Sequence, residues 1–450
     1  METILKKERI TKQAILRLSE QLVEPGWLRE HRLQTLEDFH RIPWPTGKEE
    51  EWRKTKIYHF QGENFPIPED VFSRPDDGAE LQFPGVLNGL IGNESSVAGV
   101  LAEIGQKPVY RYLSEEAKAE RVLITDLPTA ARKNPERVKP LLNGRNGKLE
   151  VLNEAFWNMG AFVWIPQNAT PKQPILLLTH FSGMEESAFP QTLITAEPNS
   201  RVQILEIATS EMPASKLAVN RRVKIFAADG AQVDYFLLLL NSGRETAYSS
   251  LTAIGQRNSS VQMRLFQLGG HLSKTHIQVD LTGKGASAKI QGLYFGEATQ
   301  RMDFNTVQNH FKSFTESDLL FKGAVSGQAY SAYRGLIHIV PQAQETNAYQ
   351  LNHNLLLSRE AHVDSNPVLE IEANDVRCSH GATVGPVSQE QLFYLQSRGL
   401  SPEIAQELIV KGYFNDLISL LPFESLREVI GQAIAQKIKT SHVNDEREED

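Results

Sequence analysis

Short apolar strands recur at a nearly constant interval in the middle of the chain, and this repeat restricts the fold more than any other feature. Each repeat starts at a small turn residue and continues with an apolar side chain at every second position. The clearest repeats start at Asn199, Gly230, Asn258 and Gly285, so the starts are 31, 28 and 27 residues apart. Units too small to bury their own apolar face predict a solenoid of stacked coils.

A parallel β-helix fits this repeat best, and a β-sandwich of Greek-key strands is the alternative. No long amphipathic helix separates the strands, which argues against a doubly wound α/β sheet. A chain of 450 residues is also long for one compact core. We therefore expect a mainly β protein whose β-helix core spans 151–387. An N-terminal helical region at 1–150, a C-terminal helical region at 388–438 and an acidic tail at 439–450 would flank it.

Helical spacing of apolar residues predicts helix over 3–42, with a break at Pro25-Gly26, because proline withdraws a backbone donor. The segment 64–92 is rich in proline and glycine and is expected to be an irregular connection. Further short helices are expected within the N-terminal region, at 95–104, 114–120, 134–142 and 153–159.

Capping signals predict where helix returns after the β region. Ser388 and Gln391 form a capping box, and Gly399 stands where a left-handed C-terminal cap is needed. Ser401 followed by Pro402 starts the next helix. The first of these helices is expected to bury Leu392, Phe393 and Leu395. Together with a last amphipathic helix after 422, these elements would form a small bundle or a docking face.

Cys378, the only cysteine of the chain, lies two positions before His380. On a strand, both side chains would project from the same face. They could form a nucleophile–base pair or supply two metal ligands. Alternatively, Cys378 is a small buried apolar residue and His380 satisfies a local hydrogen bond. Spacing alone favours the second interpretation, and Asp375 is one of many residues that could orient His380.

Composition and motifs exclude several functions. The net charge is −8 and no basic block occurs, which argues against a nucleic-acid partner. Apolar runs are far shorter than a membrane helix, and the N-terminus lacks the apolar core of a secretory signal. Because a single cysteine cannot form an internal disulfide, a cytoplasmic location is expected. The chain contains no GxxxxGK[ST] motif, so we predict no ATP site.

The segment LEIEANDVRCSHGATVG, followed by LFYLQSRGLS, resembles the SufB/SufD family, which comprises scaffold proteins of the SUF iron–sulfur cluster assembly system. The upstream segment 308–358 is similar to the same family, including His310, Ser317, Lys322 and Gln350. So are residues 272–286 and the EEEWRKT element around Trp52. Within the family, the intact Cys-Ser-His-Gly motif resembles the SufD type rather than the SufB type.

The resemblance implies a right-handed parallel β-helix between helical regions. It also implies a non-catalytic subunit that pairs with a SufB-type subunit through the β-helix. His380 would lie at the shared interface and act as a metal ligand there, and Cys378 beside it is the second candidate. No cofactor is expected on this chain alone, since a transient iron–sulfur cluster would be shared with SufB. A flavin is associated with the family complex, but no motif here supports a site for one.

The resemblance further implies that the C-terminal helices bind the SufC ATPase, with Phe393, Tyr394 and Arg398 in the matching motif. Pairing of two copies of this chain, in the absence of SufB, stays open. Two other functions also stay open. One is an independent enzyme, either a Cys-His hydrolase or a β-helix lyase. The other is a purely structural SufC-binding protein.

Overall fold

The computed structural model describes residues 10–61, 94–105, 107–142, 147–181, 187–210, 217–240 and 245–448. The irregular connection expected at 64–92 lies outside these residues. The protein is mainly β, and its strands form a parallel solenoid of about seven turns between N-terminal and C-terminal helices. The predicted fold class is therefore confirmed over the β-sandwich alternative.

Twenty strands are described, and nearly all of them belong to the solenoid. In chain order they are β1 (Gly99–Ile104), β2 (Lys107–Leu113), β3 (Leu123–Asp126), β4 (Ala161–Ile165), β5 (Ile175–Phe181), β6 (Ser187–Ala188), β7 (Gln191–Ala196), β8 (Arg201–Ser210), β9 (Ala218–Ala227), β10 (Gln232–Leu240), β11 (Thr246–Gly255), β12 (Ser260–Gln267), β13 (Leu272–Leu281), β14 (Ser287–Gly296), β15 (Arg301–His310), β16 (Glu316–Val325), β17 (Tyr330–Ile339), β18 (Thr346–Leu356), β19 (His362–Ile371) and β20 (Val376–Pro386).

The described helices lie at the two ends of the sequence. They are α1 (Lys12–Gln21), α2 (Gly26–Arg41), α3 (Glu115–Ala119), α4 (Leu127–Lys133), α5 (Pro135–Val138), α6 (Lys148–Phe156), α7 (Gln389–Ser397), α8 (Pro402–Ile418) and α9 (Glu424–Glu448). Short 3-10 helices occupy Glu50–Trp52, Ile57–Phe60, Glu94–Ser96 and Lys139–Leu142.

The strands alternate between two sheets. Sheet A has the order β2-β1-β5-β8-β10-β12-β14-β16-β18-β20, and sheet B has the order β19-β17-β15-β13-β11-β9-β7-β4-β3. Neighbouring strands are parallel throughout, except that β1–β2 and β3–β4 are antiparallel. Each coil therefore adds one strand to each sheet, and the solenoid ends at β19 and β20.

One corner of the coils is turned by residues in the left-handed region of backbone space. They lie 27 to 31 positions apart and have φ between 55° and 72°: Asn168, Asn199, Gly230, Asn258, Gly285, Phe314 and Glu345. The backbone N–H of Asn199 donates to Asp229 O, and that of Gly230 donates to Arg257 O, so each turn bonds to the next coil. Because asparagine and glycine adopt this conformation most readily, the four predicted repeat starts coincide with these corners.

Helices cover the outer faces of both sheets of the solenoid. Sheet A carries the C-terminal helices, whose buried side chains include Phe414 and Ile430. Sheet B carries α1, α2 and α6, packed through residues such as Ile15 and Phe156. Burial of this apolar surface is the main stabilising term of the fold.

Several local expectations are changed by the structure. The predicted helix at 95–104 is wrong, because 99–104 form the fully buried strand β1. The apolar residues of the segment 95–104, Val97, Val100, Leu101 and Ile104, have a helical spacing that a buried strand can also show. The predicted helix at 153–159 lies earlier, as α6. The final helix continues through 439 to Glu448, into the segment expected to be a tail.

Candidate functional site

The last coil of the solenoid leaves two strand edges without a partner. β20 pairs with β18 alone and β19 with β17 alone, so each has one free edge among the described residues. Ile371 and Val384 are 39% and 42% exposed on these strands. Free edges carry unpaired N–H and C=O groups and can add a strand from another chain.

Cys378 lies within an apolar cluster of the last coils. It is opposite Ala348 on β18 and packs in the group that includes Ile337 and Ile339. Burial raises the pKa of its thiol, which disfavours the thiolate needed for nucleophilic attack or metal binding. This environment is typical of a structural cysteine.

His380 is exposed on the same strand, opposite Gln350 of the preceding coil. No hydrogen bond or ion pair joins its imidazole to another residue that the structure describes. Neither Cys378 nor Asp375 is therefore hydrogen-bonded to it. An unengaged, exposed imidazole can serve as a ligand or proton acceptor for a group that arrives from outside the chain.

Gln350 forms the floor beneath His380. Its side chain is 1% exposed and donates from Nε2 to Gly335 O and Val368 O at 3.4 and 3.3 Å. Its Oε1 is buried without a partner among the described residues. A buried acceptor without a donor is destabilising, so Gln350 lowers the free energy of unfolding at this position.

A row of polar side chains crosses the interior beside Gln350. Tyr294 Oη donates to Asn354 Oδ1 at 2.6 Å, and Asn354 Nδ2 donates to Asn352 Oδ1 at 2.6 Å. Ser365 of β19 donates to the same Asn352 oxygen at 2.7 Å. These bonds link both sheets within the last coils and fix the strands that carry His380 and the free edges.

His353 does not lie next to His380. It is opposite Thr383, and its Nδ1 is joined to Thr383 Oγ1 at 2.5 Å. Alternation along β18 turns it to the outer face, where Tyr413 of α8 donates to its carbonyl at 2.7 Å. Burial and the nearby Lys322 lower its pKa.

Other motif residues have structural contacts. The ring of His310 is buried between Thr315 and Ser317, at 2.8 and 2.9 Å. Lys322 donates to Tyr413 O and to the Asp416 carboxylate, each at 2.8 Å. His310 therefore secures a corner of the coil, and Lys322 fixes α8 to sheet A.

The C-terminal helices present an exposed apolar surface beyond the sheet. The capping prediction is confirmed, because Ser388 accepts from Gln391 N and Gly399 has φ +89°. The expected burial of Leu392, Phe393 and Leu395 is wrong: no residue of α7 is buried, and this helix packs chiefly against α8. We call the exposed set the helical patch; its members are Phe393, Tyr394, Ile404 and Leu408.

Arg398 belongs to the edge of the helical patch. Its guanidinium lies 5.2 Å from the ring centroid of Tyr394, a cation–π contact. Phe393 is 73% exposed, within the apolar run from Leu392 to Leu395 of α7. Exposed apolar groups of this kind mark interaction surfaces.

The described residues contain no cluster of three or more histidine, cysteine or acidic side chains suited to a metal ion. None of the described helices is long and apolar enough to cross a bilayer. The last coil is thus an open strand end on which His362 and His380 are both exposed, and its geometry does not support a Cys-His catalytic pair.

Fold and site together define a β-solenoid with two surfaces suited to partner chains. Residues 179–413 match the family described as SUF system FeS cluster assembly, SufBD core domain. The iron–sulfur cluster assembly protein SufD of Bacillus subtilis is 29% identical over 97% of this chain and 100% of its own length. A SufBD family protein of Staphylococcus saprophyticus is 25% identical over 94% of this chain and 92% of its own.

The chain belongs to the SufBD family of iron–sulfur cluster assembly proteins. The predicted resemblance to SufD is confirmed by the similarity to the Bacillus protein over nearly the whole chain.

Sequence reasoning missed the free edge of β19. One signal was present: Pro367 lies within this strand, and proline is confined to edge strands and bulges because it cannot donate to a neighbour. Pro386 ends β20 in the same way.

Proposed function

We propose that this chain is a non-catalytic scaffold subunit that docks through its open coil end onto a SufB-type subunit. The observation that carries the proposal is the pair of free edges on β19 and β20, with an exposed and unengaged His380 beside them. An iron–sulfur cluster under assembly would be the shared cargo, and the cytoplasm the place of assembly.

Strand addition at both edges would continue the two sheets into the partner. Main-chain hydrogen bonds would supply affinity, and the exposed Ile371 and Val384 would be covered. His380 would then lie at the seam and act as a ligand or proton acceptor toward the cargo. Cys378 would pack the last coil, because its thiol is half-buried among apolar residues.

Two copies of this chain could pair through the same end when the SufB-type partner is missing. Nothing in the free edges is specific to one partner, because backbone pairing is independent of sequence. The heterodimer is the favoured arrangement here, because the family resemblance implies it.

The helical patch would bind the SufC-type ATPase. Large exposed aromatic residues beside an arginine are typical of interface anchors. Phe393 and Tyr394 supply such anchors, and Arg398 lies next to them. Lys322 and the buried face of α8 would transmit force from the patch to sheet A.

Reconstitution of the complex with SufB-type and SufC-type partners tests the role of His380. The His380→Ala complex should assemble as the wild type does and should lose most of its iron and acid-labile sulfide. His362→Ala is the matched control, since His362 is an exposed histidine on β19 at the same end. A normal cluster yield with His380→Ala would contradict the role assigned to His380. Equal loss with both variants would show that any substitution at the open end lowers the yield.

The helical patch is tested separately. Phe393→Asp should weaken binding of the SufC-type ATPase without lowering thermal stability, because the side chain is exposed in the isolated chain. Val23→Asp is the control, since Val23 is likewise 73% exposed but lies in the N-terminal region. Undiminished affinity of the Phe393 variant in a pull-down titration would contradict this docking site.

A further inference from the structure

A cavity of about 400 Å³ lies on the outer face of sheet B, far along the sheet from β19. Its floor is the sheet, and its wall is the segment from Glu136 to Leu141, which comprises most of α5 and the 3-10 helix after it. Nothing in the proposed docking function uses it. Its size falls in the range of small-molecule sites.

Four side chains form a row across the floor. Thr195 of β7 pairs in register with Phe226 of β9, which pairs with Ile254 of β11, which pairs with Asp280 of β13. Adjacent strands are about 4.8 Å apart, so the row spans about 14 Å from the backbone of β7 to that of β13. The two ends are polar and the centre is apolar.

The centre of the cavity suits a flat apolar body. Phe226 and Ile254 are half-buried in the floor, and Pro140 and Leu141 face the same space from the wall. An aromatic ring placed between them would stack on Phe226 and displace water from both surfaces.

One polar end carries a hydroxyl without a partner. Thr195 is 9% exposed, and its Oγ1 has no hydrogen-bond partner among the described residues. Lys224 lines the same end, with its ammonium donating to Leu141 O at 2.6 Å and lying 3.3 Å from Glu154. Hydroxyl and ammonium groups at one end favour an acceptor on the ligand.

The opposite end carries a carboxylate that no cation neutralises. Asp280 accepts from the neutral amides of Asn309 and Gln278 at 2.7 and 2.9 Å, and no ion pair of the described residues includes it. The cations that line the cavity contact other carboxylates: Arg222 and Lys224 share Glu154, and Arg137 lies 3.8 Å from Glu136. A carboxylate has about four acceptor positions, so Asp280 can take a further donor.

We propose that this cavity binds a planar aromatic molecule with an amino group at one end and a hydrogen-bond acceptor at the other. The amino group would donate to Asp280, the ring would lie on Phe226 and Ile254, and the acceptor would meet Thr195. The inference is independent of the docking function, because it uses neither the free edges nor the helical patch.

Fluorescence titration of the full chain with 6-amino-2-naphthoate tests the proposal. The probe has the required amine, flat ring and carboxylate. We expect saturable binding to the wild type and at least about tenfold weaker binding of 2-naphthoate, which lacks the amine. Absence of saturable binding, or equal affinity for the two probes, would overturn the proposal.

Variants locate the site. Ile254→Trp should fill the floor and abolish binding, whereas Leu336→Trp, also half-buried on the outer face of sheet B but outside the cavity, should leave affinity unchanged. Asp280→Asn should remove the preference for the probe that carries the amine. The isosteric Thr195→Val should weaken the binding of both probes. Circular dichroism verifies folding of each variant. Retention of wild-type affinity by folded Ile254→Trp, or of the amine preference by Asp280→Asn, would refute the assignment.

Discussion

The two ends of the solenoid are built from the same kind of coil and are finished in opposite ways. At the first end, β1 is buried along its whole length, and the sheets terminate in the antiparallel strands β2 and β3. Helix α4 packs against this end through Leu127 and Ala130. At the last end, β19 and β20 remain parallel and largely exposed, and among the described residues each pairs with one strand only.

This difference shows which end of the solenoid is covered in the isolated chain. Stacked repeats need a terminal cap, because the last repeat has no neighbour to bury its face. The first end has such a cap in its reversed strands and helix. The last end has none among the described residues, and it exposes Ile371, Val384 and His380 together. Another chain is therefore the expected cap.

Truncation of a core side chain at each end should give the largest contrast. Leu101 of β1 is 2% exposed, so Leu101→Ala should lower the free energy of unfolding by about 2–5 kcal/mol. Ile371→Ala at the open end should change it by less than about 1 kcal/mol, because this side chain already meets solvent. Chemical denaturation measures both, and equal losses would show that the two ends are equally closed.

A buried acid at the closed end should make the free energy of unfolding fall as the pH rises from about 4.5 to 8. Glu103 of β1 is buried, and desolvation, reinforced by Asp126 and Glu206, raises its pKa from 4.5 to about 8. The folded chain therefore holds this proton where the unfolded chain has lost it. Stability should be greatest below about pH 4.5 for this group and fall by up to about 1.4 kcal/mol per pH unit until pH 8.

The isosteric Glu103→Gln variant isolates that contribution. The difference in unfolding free energy between wild type and variant should change between pH 5 and 8 and then level off. A pH-independent difference for Glu103→Gln would contradict burial of the acid.

His310, nearer the open end, has the opposite effect on stability. Burial lowers its pKa to about 4, so stability is lost as pH falls from about 6.5 toward 4.

Charges placed on the open end should prevent docking without unfolding the chain. Lysine on a strand edge is a common barrier to strand addition. The double variant Ile371→Lys, Val384→Lys should bind a SufB-type subunit at least about tenfold more weakly, a loss of ~1.4 kcal/mol. Val23→Lys is the control at a distant exposed position. Unchanged affinity in calorimetry would move the interface elsewhere.

The smallest effect is expected from the N-terminal segment that contacts β19. Lys54 Nζ lies 2.6 Å from Asp364 Oδ2, and both side chains are partly exposed. Lys54→Gln should therefore cost less than about 1 kcal/mol, as surface ion pairs do. Lys48→Gln, in the same exposed segment, should cost nothing measurable. A larger loss for Lys54 would show that this segment supports the last coil.

The solenoid could be predicted because its corners are local features. Asn199, Gly230, Asn258 and Gly285 adopt positive φ, a preference that a single residue displays in the sequence. The caps at Ser388 and Ser401 were predictable for the same reason. Strand β1 was not, because the apolar residues of this short segment have a helical spacing that a buried strand can also show.

The sequence could single out candidate residues for the site but not the geometry around them. The family motif singled out His380 and Cys378, but their different environments depend on the apolar group around Ile337, which is distant in sequence. Exposure of Phe393 likewise depends on how α7 packs against α8, and the apolar run from Leu392 to Leu395 carries no local sign of which side chains stay uncovered.

Hydrogen–deuterium exchange of the chain, alone and with a SufB-type subunit, tests the open end most directly. Protection should rise at the amides of β19 and β20 on complex formation, while β1 and β2 at the closed end keep the rates of the isolated chain. Unchanged exchange in β19 and β20 within a formed complex, or new protection confined to β1 and β2, would contradict docking through the last coil.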